Sequence, residues 1–113
     1  MKKDPAIFLH HILESINLIQ TYLQGVTEEQ FHTSTEKQDL VVRRLEIIGE
    51  AAKNLPPEFR KKYPNIPWKD MAGMRDIIAH QYFGINFNTV WDTVQNLLPP
   101  LKIQIKDIAS AST

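Results

Sequence analysis

The chain has 113 residues, with 13 basic and 13 acidic side chains and no cysteine. One globular domain spanning residues 1–113 fits that length, and the absence of cysteine excludes a disulfide scaffold and a thiolate zinc site. A formal net charge of zero leaves no long-range positive field to hold nucleic acid indiscriminately, so any such contact must be local.

The start of the chain, Met1-Lys2-Lys3-Asp4-Pro5, is basic, but His10, His11 and Glu14 interrupt the apolar residues that follow. That pattern is not a signal-peptide core. No apolar run approaches the ~20 residues of a membrane span. The expectation is a soluble, cytoplasmic protein without a membrane partner.

Asp4-Pro5 is a capping residue followed by proline, a helix start. Leu9, Ile12, Leu13, Ile16, Ile19 and Leu23 then recur at helical spacing, and Gly25 is a stop, so a first helix is predicted over about 5–24. Thr27-Glu28-Glu29-Gln30 has capping-box form and opens a short turn. A second long helix follows over about 35–54, with Val41, Leu45, Ile48, Ala52 and Leu55 on one stripe and Ile47 and Ala51 widening it. Pro56-Pro57 ends it. Residues 56–67 form a proline-rich connector that carries the cluster Arg60-Lys61-Lys62 and has room for one helical turn.

Pro67 opens a third helix with Met71, Met74, Ile77 and Ile78, and Gly84 marks the break after it. Asn86 or Asn88 caps a fourth, whose apolar positions Val90, Val94, Leu97, Leu98, Leu101, Ile105 and Ile108 step by threes and fours. Pro99-Pro100 falls inside that seam, which predicts a kink, because the register resumes at Leu101. Residues 109–113 are expected to fray. Four apolar-striped helices with short connectors of this kind make an all-α helical bundle. Trp68 and Trp91 are expected in the core or an interface, and His10 can pair with Glu14 one turn away. No metal site is expected. Arg44 and Glu50, polar residues on a mostly apolar helix, need partners and brace either the third helix or a subunit interface.

The stretch Met71-Ala72-Gly73-Met74-Arg75-Asp76-Ile77-Ile78-Ala79-His80-Gln81-Tyr82 carries the chemistry. On a helical wheel Lys69, Gly73, Asp76 and His80 share the face opposite Met71, Met74 and Ile78. Asp76 and His80 are one turn apart, so the carboxylate orients the ring and favours its charged form. Arg75 lies at the edge of the apolar stripe, and its side chain is long enough to wrap toward His80. A permanent forked cation beside a residue that moves protons near neutral pH suits phosphate chemistry. Gly73 would permit close approach by another backbone or a substrate.

Arg75 to Tyr82 resembles the Arg-x4-His-x-Tyr signature of HEPN-domain ribonucleases, and more narrowly the HepT-like toxin branch. Three further blocks are similar to that branch: Arg43 to Pro56, Pro67 to Met74, and Val90-Trp91 through Leu98-Pro99-Pro100-Leu101. The likeness thus covers most of the chain in the expected order, with no departure from the signature.

The resemblance implies an antiparallel bundle of four to five helices that pairs into a two-fold homodimer, with the signature helices facing each other across a composite cleft. It implies metal-independent RNA cleavage, with no cofactor, by attack of the 2′-hydroxyl on the adjacent phosphate, leaving a 2′,3′-cyclic end. His80 would transfer protons, Arg75 would hold the charge that builds on the phosphate, and Asp76 would orient the site. Tyr82 matches the tyrosine that a minimal nucleotidyltransferase antitoxin modifies with AMP, which would place anionic phosphate where substrate binds. Lys69 and Arg60-Lys61-Lys62 are candidates for steering RNA. The alternative is a non-catalytic helical partner that binds a nucleotide or a nucleotidyltransferase, with the same cluster serving as a docking or modification surface.

Overall fold

Asp4 begins the fold as predicted: its carboxylate accepts the Ala6 N–H at 3.0 Å, and α1 runs Pro5–Tyr22. A computed structural model describes residues 4–80 and 84–111, the side chains of residues 76–80 excepted. Gly25, at φ 74°, turns the chain after α1, a left-handed conformation that glycine adopts without strain. The capping box then closes in both directions: Thr27 Oγ1 accepts the Gln30 N–H, and Gln30 Oε1 accepts the Thr27 N–H. It starts α2, Glu28–Thr33, longer than the single turn expected.

Ser34 caps α3, Thr35–Asn54, over the residues the apolar stripe marks. Gln38 ties α2 to it by donating to the carbonyls of Phe31 and His32 at 3.1 and 3.0 Å. The connector forms α4, Pro57–Lys62, and α5 runs Trp68–His80. Pro67 stands just before α5, and its carbonyl accepts the Met71 N–H at 3.0 Å.

Asn86 is the cap of the last helical segment, its side chain accepting from the Asn88 and Thr89 N–H groups. That segment is α6, Phe87–Asp92, a π-helical turn, Thr93–Leu97, and α7, Leu98–Ala111. The π turn is how the chain accommodates Pro99 and Pro100. Each proline lacks an N–H and needs room at the carbonyl four residues back, and the wider turn supplies that room. Leu98 N–H donates to the Thr93 carbonyl, five residues back, and the seam continues.

The described residues form a helical bundle without strands. Helix α3 is its centre, packed against α1 on one side and α5 on the other, while α7 lies against α1. The core is the predicted set: Leu9, Ile12, Ile16 and Ile19 from α1, Val41, Leu45, Ile48 and Ala52 from α3, and Leu98, Leu101, Ile105 and Ile108 from α7. Phe31 on α2 adds a fully buried ring against Trp91 (5.4 Å) and Phe87 (6.1 Å). Both tryptophans take structural positions. Trp68 is buried and donates from Nε1 to the Tyr63 carbonyl at 3.0 Å, and Trp91 packs on the core. Among the described residues, no helix is long and apolar enough to cross a membrane.

Candidate active site

The site begins with a glycine. A Cβ on Gly49 would lie 2.5 Å from Arg75 Cβ and 2.8 Å from both the Arg75 nitrogen and the Met71 carbonyl oxygen. Helices α3 and α5 therefore touch backbone to backbone here, and only glycine leaves the space. The contact pins the base of Arg75 against α3. From there the side chain reaches the next residue along α3, and Arg75 Nε donates to Glu50 Oε2 at 3.0 Å.

This ion pair is partly open to water, with Arg75 34% and Glu50 56% exposed. Pairs so exposed contribute only about 0–1 kcal/mol to stability. What the pair supplies is direction: a charge-assisted bond at Nε fixes the plane of the guanidinium.

Arg75 forms part of the wall of a cleft of about 660 Å³ between α1, α3 and α5. Helix α1 contributes Phe8, His11 and Glu14, and α3 contributes Arg43, Arg44, Glu46 and Glu50 among others. Two of the acids have basic partners within the cleft, Glu46 with Arg43 at 2.7 Å and Glu50 with Arg75. Glu14 faces His10 at 3.6 Å, the local pair expected from their spacing.

Of the signature residues, Arg75 is therefore placed. Asp76 and His80 lie on α5, with side chains outside those described, and Tyr82 lies outside the described residues. Lys69 is exposed beside a different cleft, of about 570 Å³, which Gly73, Met74, Ile85 and Thr89 also line. Arg60, Lys61 and Lys62 stand on α4, away from the walls of the Arg75 cleft. Arg60 is half-buried, its Nε enclosed without a hydrogen-bond partner, and Lys62 Nζ sits 5.6 Å from the centre of the Tyr63 ring.

At Gly73 a Cβ would meet nothing of this chain within 4 Å, so the surface there is open. The close approach within the chain is at Gly49, where α3 meets α5. The sequence reading did not foresee that Arg43, Arg44, His11 and Glu14 share a cleft with Arg75. The available signal was Arg44 and Glu50 on an apolar helix; Glu50 does brace the signature helix, through Arg75.

An oriented guanidinium on the wall of an open cleft is equipped to bind an anion and to stabilise charge that develops on it. Comparison with known proteins agrees with phosphate chemistry. The ribonuclease HepT-like family matches residues 12–108. A Methanocaldococcus jannaschii protein named gamma-glutamylcyclotransferase and, provisionally, RNase is 54% identical over 108 residues. That match takes in 96% of this chain and 49% of the relative, so the chain spans about half its length. A provisionally named RNase of Caldanaerobacter subterraneus subsp. tengcongensis is 43% identical, over 94% of this chain and 95% of its own. A probable ribonuclease HepT of Thermococcus cleftensis is 42% identical, over 90% and 93%. No solved structure gives a significant match. The chain belongs to the HepT-like ribonuclease family.

Proposed function

We propose that this protein is a metal-independent endoribonuclease, the toxin component of a toxin–antitoxin pair. The observation that carries this reading is Arg75, the arginine of the signature, held by Glu50 at the wall of an open cleft in a chain of this family. In the proposed reaction the ribose 2′-oxygen attacks the adjacent phosphorus. The bond from phosphorus to the 5′-oxygen breaks, and the products are a 2′,3′-cyclic phosphate and a free 5′-hydroxyl. One proton must leave the 2′-hydroxyl and one must reach the departing 5′-oxygen, and His80 is the proton-transfer residue. Arg75 acts on the negative charge of the five-coordinate phosphorane, where a fixed donor contributes more than in the ground state. Asp76 orients the site.

Two copies of the chain form a two-fold dimer, with their signature helices facing across the composite cleft. A minimal nucleotidyltransferase antitoxin silences the enzyme by attaching AMP to Tyr82. The added phosphodiester is anionic and sits two residues from His80, so it competes with the RNA phosphate for the same cationic groups.

The test is to incubate RNA with the purified protein in excess chelator and to analyse the new ends. Fragments with 2′,3′-cyclic phosphate and 5′-hydroxyl ends support the enzyme. Intact RNA together with tight binding to a nucleotidyltransferase contradicts it and supports a docking module instead.

A further inference from the structure

We infer that Arg44 binds a second phosphate of the RNA strand, one that flanks the bond being cut. The inference rests on the ribonuclease reading and adds a subsite to it. Three arginines line the cleft. Arg43 is held by Glu46 at 2.7 Å, and Arg75 by Glu50 at 3.0 Å. Arg44 is half-buried in the same cleft and, among the described residues, has neither an ion pair nor a hydrogen bond.

That difference sets the electrostatics. Glu46 and Glu50 are each balanced by an arginine, and the remaining carboxylate, Glu14, faces His10. The cleft holds three arginines and three glutamates, and Arg44 is the arginine among them that no carboxylate holds. A partly desolvated cation without a counter-ion is under-compensated, and an arriving anion supplies the missing interaction. Arginine also presents a planar fork of donors that matches two phosphate oxygens.

Size and overall charge point the same way. A cleft of about 660 Å³ has room for more than the scissile phosphate alone. The chain as a whole is neutral, so strand binding must come from cations inside the cleft. Lys69 and the α4 cluster line other surfaces. A strand whose scissile phosphate lies at Arg75 thus continues along α3, over Arg44.

The experiment uses a short, fully 2′-O-methylated oligoribonucleotide, which binds but cannot be cut. Its affinity for the wild-type protein, Arg44→Ala, Arg44→Gln and Arg44→Lys is measured across a salt series. Arg44→Ala and Arg44→Gln are expected to weaken binding about tenfold and to flatten the slope of log Kd against log salt by about 0.7, one phosphate contact on a single strand. Arg44→Lys should restore the slope and part of the affinity. With cleavable RNA, the loss in kcat/KM should be larger for the strand than for a dinucleotide, which lacks a flanking phosphate.

Unchanged affinity and slope in folded Arg44→Gln overturn the inference, as does an equal loss on strand and dinucleotide. A changed oligomeric state at constant RNA affinity also overturns it and assigns Arg44 to a subunit contact. If the wild-type protein binds the strand with an Arg44-dependent slope yet cuts nothing, the subsite stands and the nuclease reading falls. If it cuts RNA and the Arg44 variants match it, the reverse holds.

Discussion

Replacing Gly49 by alanine should drive α3 and α5 apart. The new methyl group would lie 2.5 Å from Arg75 Cβ and 2.8 Å from two backbone atoms of α5. Ordinary carbon contacts sit at about 3.5–4.0 Å, so the helices must separate by about 1 Å. No flexible side-chain end can yield, because the obstructing atoms belong to the α5 backbone and the root of Arg75. Overpacking of this kind costs about 1–3 kcal/mol, and a rigid backbone contact belongs at the upper end. Alanine returns about 1 kcal/mol in helix propensity. The net expectation is a loss of about 1–2 kcal/mol and a fall in Tm of about 4–8 °C.

Gly73→Ala is the control. It introduces the same group on α5 where nothing lies within 4 Å, so only the propensity gain remains and stability should rise by up to about 1 kcal/mol. Thermal and urea denaturation of the two variants read the difference. If both alanines stabilise the fold alike, the backbone contact that seats Arg75 does not exist. On the proposed mechanism Gly49→Ala also moves Arg75, and a displacement of about 1 Å can cost about 100-fold in rate.

Glu50→Ala removes the acceptor of Arg75 Nε and should lower kcat while RNA affinity holds or improves, since a negative charge leaves the cleft. Glu50→Gln keeps an acceptor oxygen and should recover most of the rate; equal losses in both variants would refute orientation through this bond. Melting temperatures should barely move in either, because the pair is exposed. Thr27→Ala deletes one arm of the capping box and should destabilise the protein by about 1 kcal/mol, checked by urea denaturation. Tyr82→Phe should retain RNA cleavage but take up no AMP from a minimal nucleotidyltransferase. Labelling of that variant to the wild-type extent would move the modification elsewhere.

The bundle was legible because its helices carry local signals that agree with their tertiary use. Asp4-Pro5, Thr27 with Gln30, and Asn86 act as the caps their positions suggest, and the stripes of α1, α3 and α7 are the stripes that are buried. The π turn was not legible. The sequence shows two prolines in a seam, and whether the chain kinks or widens depends on which carbonyl oxygens the neighbouring N–H groups can still reach. At the site, spacing marked Arg75 as chemically interesting, at the edge of the apolar stripe, but carried no sign that it reaches Glu50 on α3. Its observed direction depends on the approach of α3, a contact between residues far apart in the chain, and helical periodicity carries no information about that. For the same reason Arg44 and Glu50 read only as polar residues in need of partners, and their common cleft emerged when α1, α3 and α5 were assembled.

The most direct test is Arg75→Ala, with single-turnover cleavage and RNA affinity measured side by side. The account predicts that cleavage slows by about 100- to 1,000-fold, as for loss of a transition-state donor, while Kd changes far less. Loss of RNA binding with an unchanged cleavage rate for the bound fraction would contradict it.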